Sequence, residues 1–276
     1  MKSPSIPTAP AVAADRLVRP RVGARPAGLR WSALWLLLLP LPGLSTLFVY
    51  GLPMTHDGVT HLMRIARLDE AIRQGYLFPR WLPDLLLGYG YPALNYYAAG
   101  SYYLVELLYL TLAPSLYAAF VLAQALLVIL AGIGAYRLAY DLLAERSPQP
   151  AIPALVAAAA YVYAPYLLIN IYVRGAIAEL GAQMLLPWIL WSFRRIWRSP
   201  DPQAYVWGGA LSLGLLAWTH TISLLTVPPL LVAYLLMLGA GRADWRPRAR
   251  YSAFAILWAM LVSSFYWIPL ILEKCL

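Results

Sequence analysis

The chain has 276 residues, of which 62% are hydrophobic and only 12% are charged, and its formal net charge is +9. Soluble domains carry about 25% charged residues, so this composition indicates an integral membrane protein. The basic residues form short clusters between apolar runs, which is typical of topology signals and predicts no nucleic-acid partner. One cysteine, Cys275, excludes an internal disulfide and a cysteine-based metal site.

Residues 1–30 contain six lysine or arginine residues among prolines and alanines, without apolar periodicity. This pattern predicts a disordered basic tail on the cytoplasmic side. The first apolar run, residues 31–50, lacks a small-residue cleavage site and is therefore interpreted as an uncleaved anchor.

A membrane-spanning helix needs about 20 mostly apolar residues. The candidate segments are 31–50, 93–113, 116–140, 151–169, 177–197, 203–219, 221–240 and 251–272. If 93–113 does not cross, 15 of the 21 lysine and arginine residues lie on one side, which the positive-inside rule makes cytoplasmic. We therefore predict an all-α polytopic protein with about seven transmembrane helices in a bacterial inner membrane, its N-terminus cytoplasmic.

Segment 93–113 carries Glu106, with Tyr102 and Tyr109 about one turn to either side on the same helical face. We predict a helix that lies in the membrane interface with this polar stripe toward water. The alternative is an ordinary span with one buried glutamate. In the seven-span arrangement, residues 51–115 and 170–178 form outer loops.

The first outer loop begins with THDGVTHLMR, which starts at Thr55. Asp57, His61 and Arg64 follow an i, i+4, i+7 spacing and share one helical face. Residues 57–74 read as an amphipathic helix whose apolar stripe consists of Leu62, Ile65, Leu68 and Ile72. Gly75 follows as its candidate C-cap.

A carboxylate next to an imidazole can act as a general base or hold a divalent cation such as Mg²⁺ or Mn²⁺. Asp57 is therefore a candidate catalytic residue, and Asp57 with His61 is a candidate metal pair. Zinc is less favoured because no third strong ligand follows at a metal-like spacing. In the structural alternative, Asp57 caps the helix and His61 pairs with it.

Arg80, in the stretch Phe78-Pro79-Arg80-Trp81, could hold a phosphate with its fork geometry. Nearby tyrosines could stack on a sugar or form an aromatic belt, and they are Tyr89, Tyr91, Tyr96 and Tyr97. The substrate-binding candidates in this loop are His61, Arg64, Arg80, Tyr96 and Tyr97.

The second motif is YVRGAIAE, residues 172–179. Arg174 and Glu179 form either a structural ion pair or a phosphate-binding cation with a second acidic group. His220, at the outer end of a predicted span, is a third catalytic candidate with Asp57 and Glu179. Glu273, near the outer end of the last predicted span, joins Arg174 as a substrate-binding candidate.

These features resemble the GT-C class of membrane glycosyltransferases. The chain is also similar to the bacterial membrane family labelled "6-pyruvoyl-tetrahydropterin synthase-related". The resemblance covers residues 31–274 and rests on THDG, GYLFPRW, VRGAIAE with the following LLPW, TH after the fifth span, and FYWIPLILE. The label does not imply pterin chemistry, because the histidine-bound zinc fold of the soluble synthase cannot form here.

The GT-C resemblance implies a transmembrane module over residues 31–276 that uses a polyprenyl-phosphate sugar on the extracytoplasmic face. It implies that Asp57 acts as a base or a metal contact. Two departures stand out: one acid next to Gly58 replaces an acidic pair, and the chain stops at Cys275-Leu276, where such enzymes continue. We therefore expect a fragment that is truncated at its C-terminus.

The favoured function is glycosyl transfer by direct displacement, with Asp57 activating the acceptor hydroxyl or holding the metal. Arg80 and Arg174 would neutralise the leaving phosphate, and Glu179 and His220 would orient the reactants. A lipid-linked-sugar transporter is an alternative, although the inner halves of the spans carry almost no polar residues. A non-catalytic scaffold is the other alternative. In that case, removing the charge of Asp57 or Arg174 would lower stability, and there would be no activity to lose.

Overall fold

The computed structural model describes residues 29–273, and helices are its only regular elements in this range. The predicted basic tail lies outside the described residues except for its last two, which begin the first helix. Lys274, Cys275 and Leu276 also lie outside. The helices are α1 (Leu29–Leu38), α2 (Leu41–Tyr50), α3 (Gly58–Arg73), α4 (Ala93–Tyr96), α5 (Gly100–Thr111), α6 (Leu116–Leu143), α7 (Ala151–Val162), α8 (Pro165–Ile169), a π-helical turn (Asn170–Arg174), α9 (Ile177–Arg198), α10 (Gln203–Thr219), α11 (Ser223–Gly239), α12 (Trp245–Val262) and α13 (Ser264–Glu273).

Helix α9 is the central element of the bundle and packs against α6 on one side and α10 on the other. Helix α7 extends the packing beyond α6, and α12 extends it beyond α10. One apolar cluster fills the space between α3, α5 and α6, and another lies between α9, α10 and α12. The two ends of α9 define the two ends of the bundle.

The THDG end comprises residues 51–58, 172–179 and 219–223. The arginine end comprises residues 137–146, 194–203 and 240–248. At the arginine end, Arg194 bonds the Glu145 carboxylate at 2.6 Å and the Asp141 carbonyl at 3.2 Å. Three loops that carry most of the predicted cytoplasmic charge therefore lie at one end, opposite the acidic motifs.

The structure supports fewer membrane spans than the seven predicted. Among the described residues, Leu116–Leu143 and Ala151–Arg174 are long and apolar enough to cross a membrane. A third span results if α12 and α13, bent by 66° at their junction, count as one. The all-helical architecture is confirmed, and the span count is two or three.

The missing spans have local physical causes. The run 31–50 is broken by prolines at 40 and 42 into two helices of 10 residues each. Helices α10 and α11 each have 17 residues, and α11 contains Pro228 and Pro229. Helix α5, in the segment predicted not to cross, has 12 residues, about 18 Å, which is less than the roughly 30 Å of a hydrocarbon core.

The prediction that the polar stripe of α5 faces water is wrong. Tyr102 is 0% exposed and Glu106 is 2% exposed, because this face packs toward α3. Burial, followed by the neighbouring Asp69 carboxylate, raises the pKa of Glu106 to about 7. No described donor hydrogen-bonds the Glu106 carboxylate oxygens.

The predicted amphipathic helix is confirmed as α3, which spans Gly58–Arg73. Ile65 and Leu68 of its stripe are fully buried, and Leu62 and Ile72 pack against the same apolar cluster. Gly75 follows the helix with a φ of +94°, which suits a glycine C-terminal signal.

Candidate functional site

The two acidic motifs meet through their backbones at the THDG end. The His56 N–H donates to the Val173 carbonyl at 3.1 Å, and the Asp57 N–H donates to the Arg174 carbonyl at 2.8 Å. We call this contact the junction. It joins segments more than 100 residues apart and fixes the start of α3 against the end of the π-helical turn.

Gly175 is required at the junction by both conformation and space. Its φ of +69° lies in the left-handed region that favours glycine. A Cβ here would meet the Thr55 hydroxyl oxygen and would lie 3.0 Å from the Gly58 Cα. The Thr55 hydroxyl also accepts the Gly58 N–H at 3.1 Å, so both glycines close around one threonine.

Arg174 and Glu179 form the ion pair that the sequence left open as an alternative. The Arg174 guanidinium also donates to the Asn170 amide oxygen at 2.9 Å, and Tyr166 donates its hydroxyl to Glu179. The π-helical turn places Asn170 and Arg174 on one side, and such turns recur at functional sites. The pair is partly exposed, so substrate could reach it.

The Asp57 carboxylate has no hydrogen-bond or ion-pair partner among residues 29–273. Asp57 is the N-cap of α3, yet its side chain makes no capping bond. His61 pairs instead with the Tyr102 hydroxyl, 2.6 Å from its Nδ1. The alternative in which Asp57 caps the helix and pairs with His61 is therefore wrong in this structure.

His61 is 4% exposed and packs inside the protein. Burial, with a further contribution from Arg64, lowers the pKa of His61 to about 4, so the ring is neutral at pH 7. A buried neutral imidazole that is bonded to Tyr102 positions its neighbours. This placement does not suit the direct substrate contact predicted from the spacing.

Arg64 lies over the Tyr97 ring, with its guanidinium carbon 5.0 Å from the ring centroid. Tyr97 in turn stacks on Tyr102 at 5.7 Å. Burial raises the pKa of the Tyr97 hydroxyl, and the charges of Arg64, Asp57 and Glu179 also act on it. Arg64 forms no ion pair with any acidic residue that the structure describes.

His220 caps the C-terminus of α10, and its Nδ1 lies 2.8 Å from the Ser223 hydroxyl oxygen. Burial lowers the pKa of His220, while the Glu179 charge opposes this shift and the Arg174 charge adds to it. Thr219, which precedes His220, lies against Gly181 of α9, two residues after Glu179, so His220 lies at the same end of the bundle as the Arg174–Glu179 pair.

Arg80 and Glu273 form a separate group with Asn95. Arg80 Nη1 lies 2.6 Å from Glu273 Oε1, and Asn95 donates to the other carboxylate oxygen. The Tyr96 hydroxyl lies 3.5 Å from the Glu273 carbonyl oxygen. The structure thus divides the predicted site residues into the junction group and this second group.

A small cavity of about 110 Å³ lies against the junction. Thr55, Gly58 and Gly175 line it, together with Gln124 from α6. Gln124 is fully buried, and neither amide atom has a partner among the described residues. This cavity offers room for a polar group next to Asp57.

The predicted metal pair does not form a metal site from protein groups alone. Residues 29–273 contain no cluster of three histidine, cysteine or carboxylate side chains that could hold an ion. His61 is committed to Tyr102 and is buried. Only Asp57 among the predicted pair is free to contact a cation.

Sequence reasoning missed Tyr102, Tyr166, Asn170 and Asn95 as partners of the site. Asn170 precedes Arg174 by four residues, a spacing that brings side chains together on a helix and could have identified it. Tyr102 and Asn95 contact residues distant in sequence, so spacing carried no signal for them.

Comparison with known proteins places residues 94–275 in one family. The matched range includes the second motif, His220 and Glu273, and it excludes THDG and the FPRW stretch. No curated protein and no solved structure matches the chain. The chain belongs to the membrane protein family described as the 6-pyruvoyl-tetrahydropterin synthase related domain.

Proposed function

We propose that this protein is a membrane glycosyltransferase of the GT-C type that transfers a sugar from a polyprenyl-phosphate donor. The supporting observation is the junction, where the backbone of Asp57 bonds that of Arg174. This contact brings together the Asp57 carboxylate, which has no partner among residues 29–273, and the Arg174–Glu179 pair. A lipid-linked donor needs cations for its phosphate and apolar helices for its chain. Both requirements are met at the THDG end.

In the proposed reaction, Asp57 takes the proton of the acceptor hydroxyl while the hydroxyl oxygen attacks the anomeric carbon of the donor. The bond from that carbon to the phosphate oxygen breaks, and the electron pair leaves with the phosphate. Arg64 neutralises the leaving phosphate, with Arg174 as a second cation. Glu179 and His220 orient the reactants.

Arg64 replaces Arg80 as the leading phosphate ligand in this proposal. Arg80 and Arg174 each have a carboxylate partner, and their positive charge is already compensated. Within residues 29–273, the guanidinium of Arg64 contacts the Tyr97 ring and pairs with no carboxylate, so its charge is available to an anion. Mg²⁺ or Mn²⁺ would bind through Asp57 and the donor phosphate, because Mg²⁺ commonly takes one or two carboxylates plus phosphate oxygens.

We place the THDG end on the extracytoplasmic face of a bacterial inner membrane. The arginine-end loops carry eight of the 21 lysine and arginine residues, and short basic loops stay in the cytoplasm. Additional spans beyond the two or three supported by helix length would have to come from shorter helices such as α10 and α11.

The test is sugar transfer by the purified protein from a panel of radiolabelled polyprenyl-phosphate sugars. Asp57→Asn should lower turnover by about 100-fold or more, since it removes the base but keeps the shape. The matched control is Asp84→Asn in the same loop, whose exposed carboxylate lies 3.5 Å from Arg67. Equal activity in wild type and Asp57→Asn would overturn the mechanism.

Donor binding is tested separately by native mass spectrometry of the protein released from its own membranes. Arg64→Gln should lose a co-purifying polyprenyl phosphate or its glycoside. Arg67→Gln is the control, because Arg67 lies three residues away and is ion-paired with Glu70 at 2.6 Å. Bulk phospholipid alone, in equal amounts in all proteins, would favour the scaffold function.

A further inference from the structure

A second, larger cavity of about 300 Å³ lies on the other side of the start of α5 from the junction. It is bounded by the Phe78–Arg80 stretch, α5, the end of α10 and the start of α13. Tyr102 of α5 faces His61 at the junction, whereas Tyr103 lines this cavity. Tyr102 and Tyr103 are neighbours in sequence, but their side chains lie on different sides of α5, one toward His61 and one toward this cavity.

Four aromatic side chains that line this cavity pack against one another in a closed ring. Tyr103 and Trp218 have ring centroids 5.0 Å apart, and Trp218 and Phe265 have centroids 5.3 Å apart. Phe78 closes the ring at 5.8 Å from both Tyr103 and Phe265. Rigid aromatic faces of this kind offer a flat apolar wall for a flat ligand.

The polar side of the cavity is formed by Arg80 and Asn95, which converge on the Glu273 carboxylate. Asn95 is 6% exposed, so it lies deep in the structure. The Arg80–Glu273 pair is electrically neutral, so it does not favour an anion. It does provide donor and acceptor atoms side by side, which is what vicinal hydroxyl groups require.

We infer that this cavity binds a neutral hexopyranose ring, with an apolar C–H face on Trp218 and hydroxyl groups on Asn95, Arg80 and Glu273. Pockets for small molecules start at about 300 Å³ and combine an aromatic lining with a few convergent polar groups, as here. The volume suits a single ring and not a polyprenyl chain. Sugar binding does not depend on glycosyl transfer; only the role of holding a sugar of the acceptor other than the one that reacts at Asp57 rests on the proposed function.

The experiment is saturation-transfer difference NMR on the full chain in detergent, with methyl hexopyranosides as probes. Trp218→Leu and Asn95→Leu should each weaken binding by about tenfold or more, through loss of the stacking face or the hydrogen bonds. The matched control is Trp207→Leu, because Trp207 is 60% exposed and stacks on Trp258, away from the cavity. Trp218→Phe keeps an aromatic face and should retain part of the signal, which separates a lost wall from a misfolded protein.

Asp57→Asn should retain full glycoside binding, whether or not it abolishes transfer. Loss of glycoside binding in Asp57→Asn would show that the larger cavity and the junction form one site, and it would overturn the inference. Displacement of the glycoside by glucose 1-phosphate or farnesol at lower concentration would also overturn it, by assigning the cavity to an anion or a lipid chain. An absence of glycoside signal with the wild-type protein would have the same consequence.

Discussion

The two ends of the helical bundle use charge differently. At the arginine end, Arg194 is 3% exposed and bonds both the Asp141 carbonyl of α6 and the Glu145 carboxylate just after α6. Arg248 donates to the Ser199 carbonyl at 2.7 Å. At the THDG end, the Asp57 carboxylate and the Arg64 guanidinium have no oppositely charged partner among the described residues. Charges that already stabilise the fold are poor candidates for chemistry, so this contrast supports the site proposed at the THDG end.

The largest expected effect comes from adding one carbon at the junction. Gly175→Ala should lower the free energy of unfolding by about 3–5 kcal/mol, because it combines a strained φ with contacts to Thr55 and Gly58. Gly241→Ala, at the arginine end, also has a positive φ of +71° but meets no atom within 4 Å. It should cost only about 1 kcal/mol. Denaturation of both variants in detergent measures the two losses of unfolding free energy. Equal losses would mean that the junction shifts to accommodate the added methyl group.

Removing one carboxylate at each end should separate stability from activity. Glu145→Gln should lower stability by about 2 kcal/mol, because it leaves the buried Arg194 charge uncompensated, and should leave transfer nearly unchanged. Glu179→Gln should change stability little, because its Arg174 partner is 37% exposed, and should lower turnover at least tenfold. Thermal unfolding and the transfer assay together measure both quantities. The reverse pattern would assign the structural role to the THDG end.

A pH dependence is expected from Glu106, which lies behind the site. Its pKa is raised to about 7 in the folded protein, so the folded state binds more protons than the unfolded state between about pH 4.5 and 7. Stability should therefore fall as pH rises through this window, by a total on the order of 2 kcal/mol, and level off above pH 7. Glu106→Gln should remove this slope, whereas Glu70→Gln, on the exposed side of α3, should keep it. Unfolding midpoints from pH 5 to 8 test this.

The smallest expected effect is at the aromatic support of the junction. Tyr102→Phe removes the hydroxyl that pairs with His61 Nδ1 and should cost about 1–2 kcal/mol, because a buried ring nitrogen loses its partner. A matched change, Tyr163→Phe, removes a hydroxyl that donates to the Leu39 carbonyl at 2.9 Å in an exposed setting. Tyr163→Phe should lower stability by less than Tyr102→Phe does. A larger loss of stability for Tyr163→Phe than for Tyr102→Phe would contradict this, because it would show that water replaces the lost hydrogen bond to His61.

Helix α3 could be predicted because its apolar stripe has the spacing of a helix and its end carries Gly75. That the two acidic motifs belong together followed from loop charge alone. The backbone bonds of the junction and the Arg80–Glu273 pair could not be predicted, because their partners are 117 and 193 residues apart and no local pattern links them.

The error at Glu106 has a different cause. A polar stripe on a short apolar helix has the same pattern whether it faces water or a second polar helix, and only packing against Asp69 of α3 decides between them. The span count failed for a related reason. Apolar composition alone does not reveal that prolines divide a 20-residue run into shorter helices.

The junction joins its two loops by backbone atoms, and a backbone bond does not depend on which side chains its residues carry. His56, Val173 and Arg174 could therefore be replaced without removing the bonds that align the loops. The THDG end is for this reason a suitable frame for a combinatorial library. Randomising these three positions, while Gly58 and Gly175 are kept, would vary the recognised chemistry on a fixed scaffold.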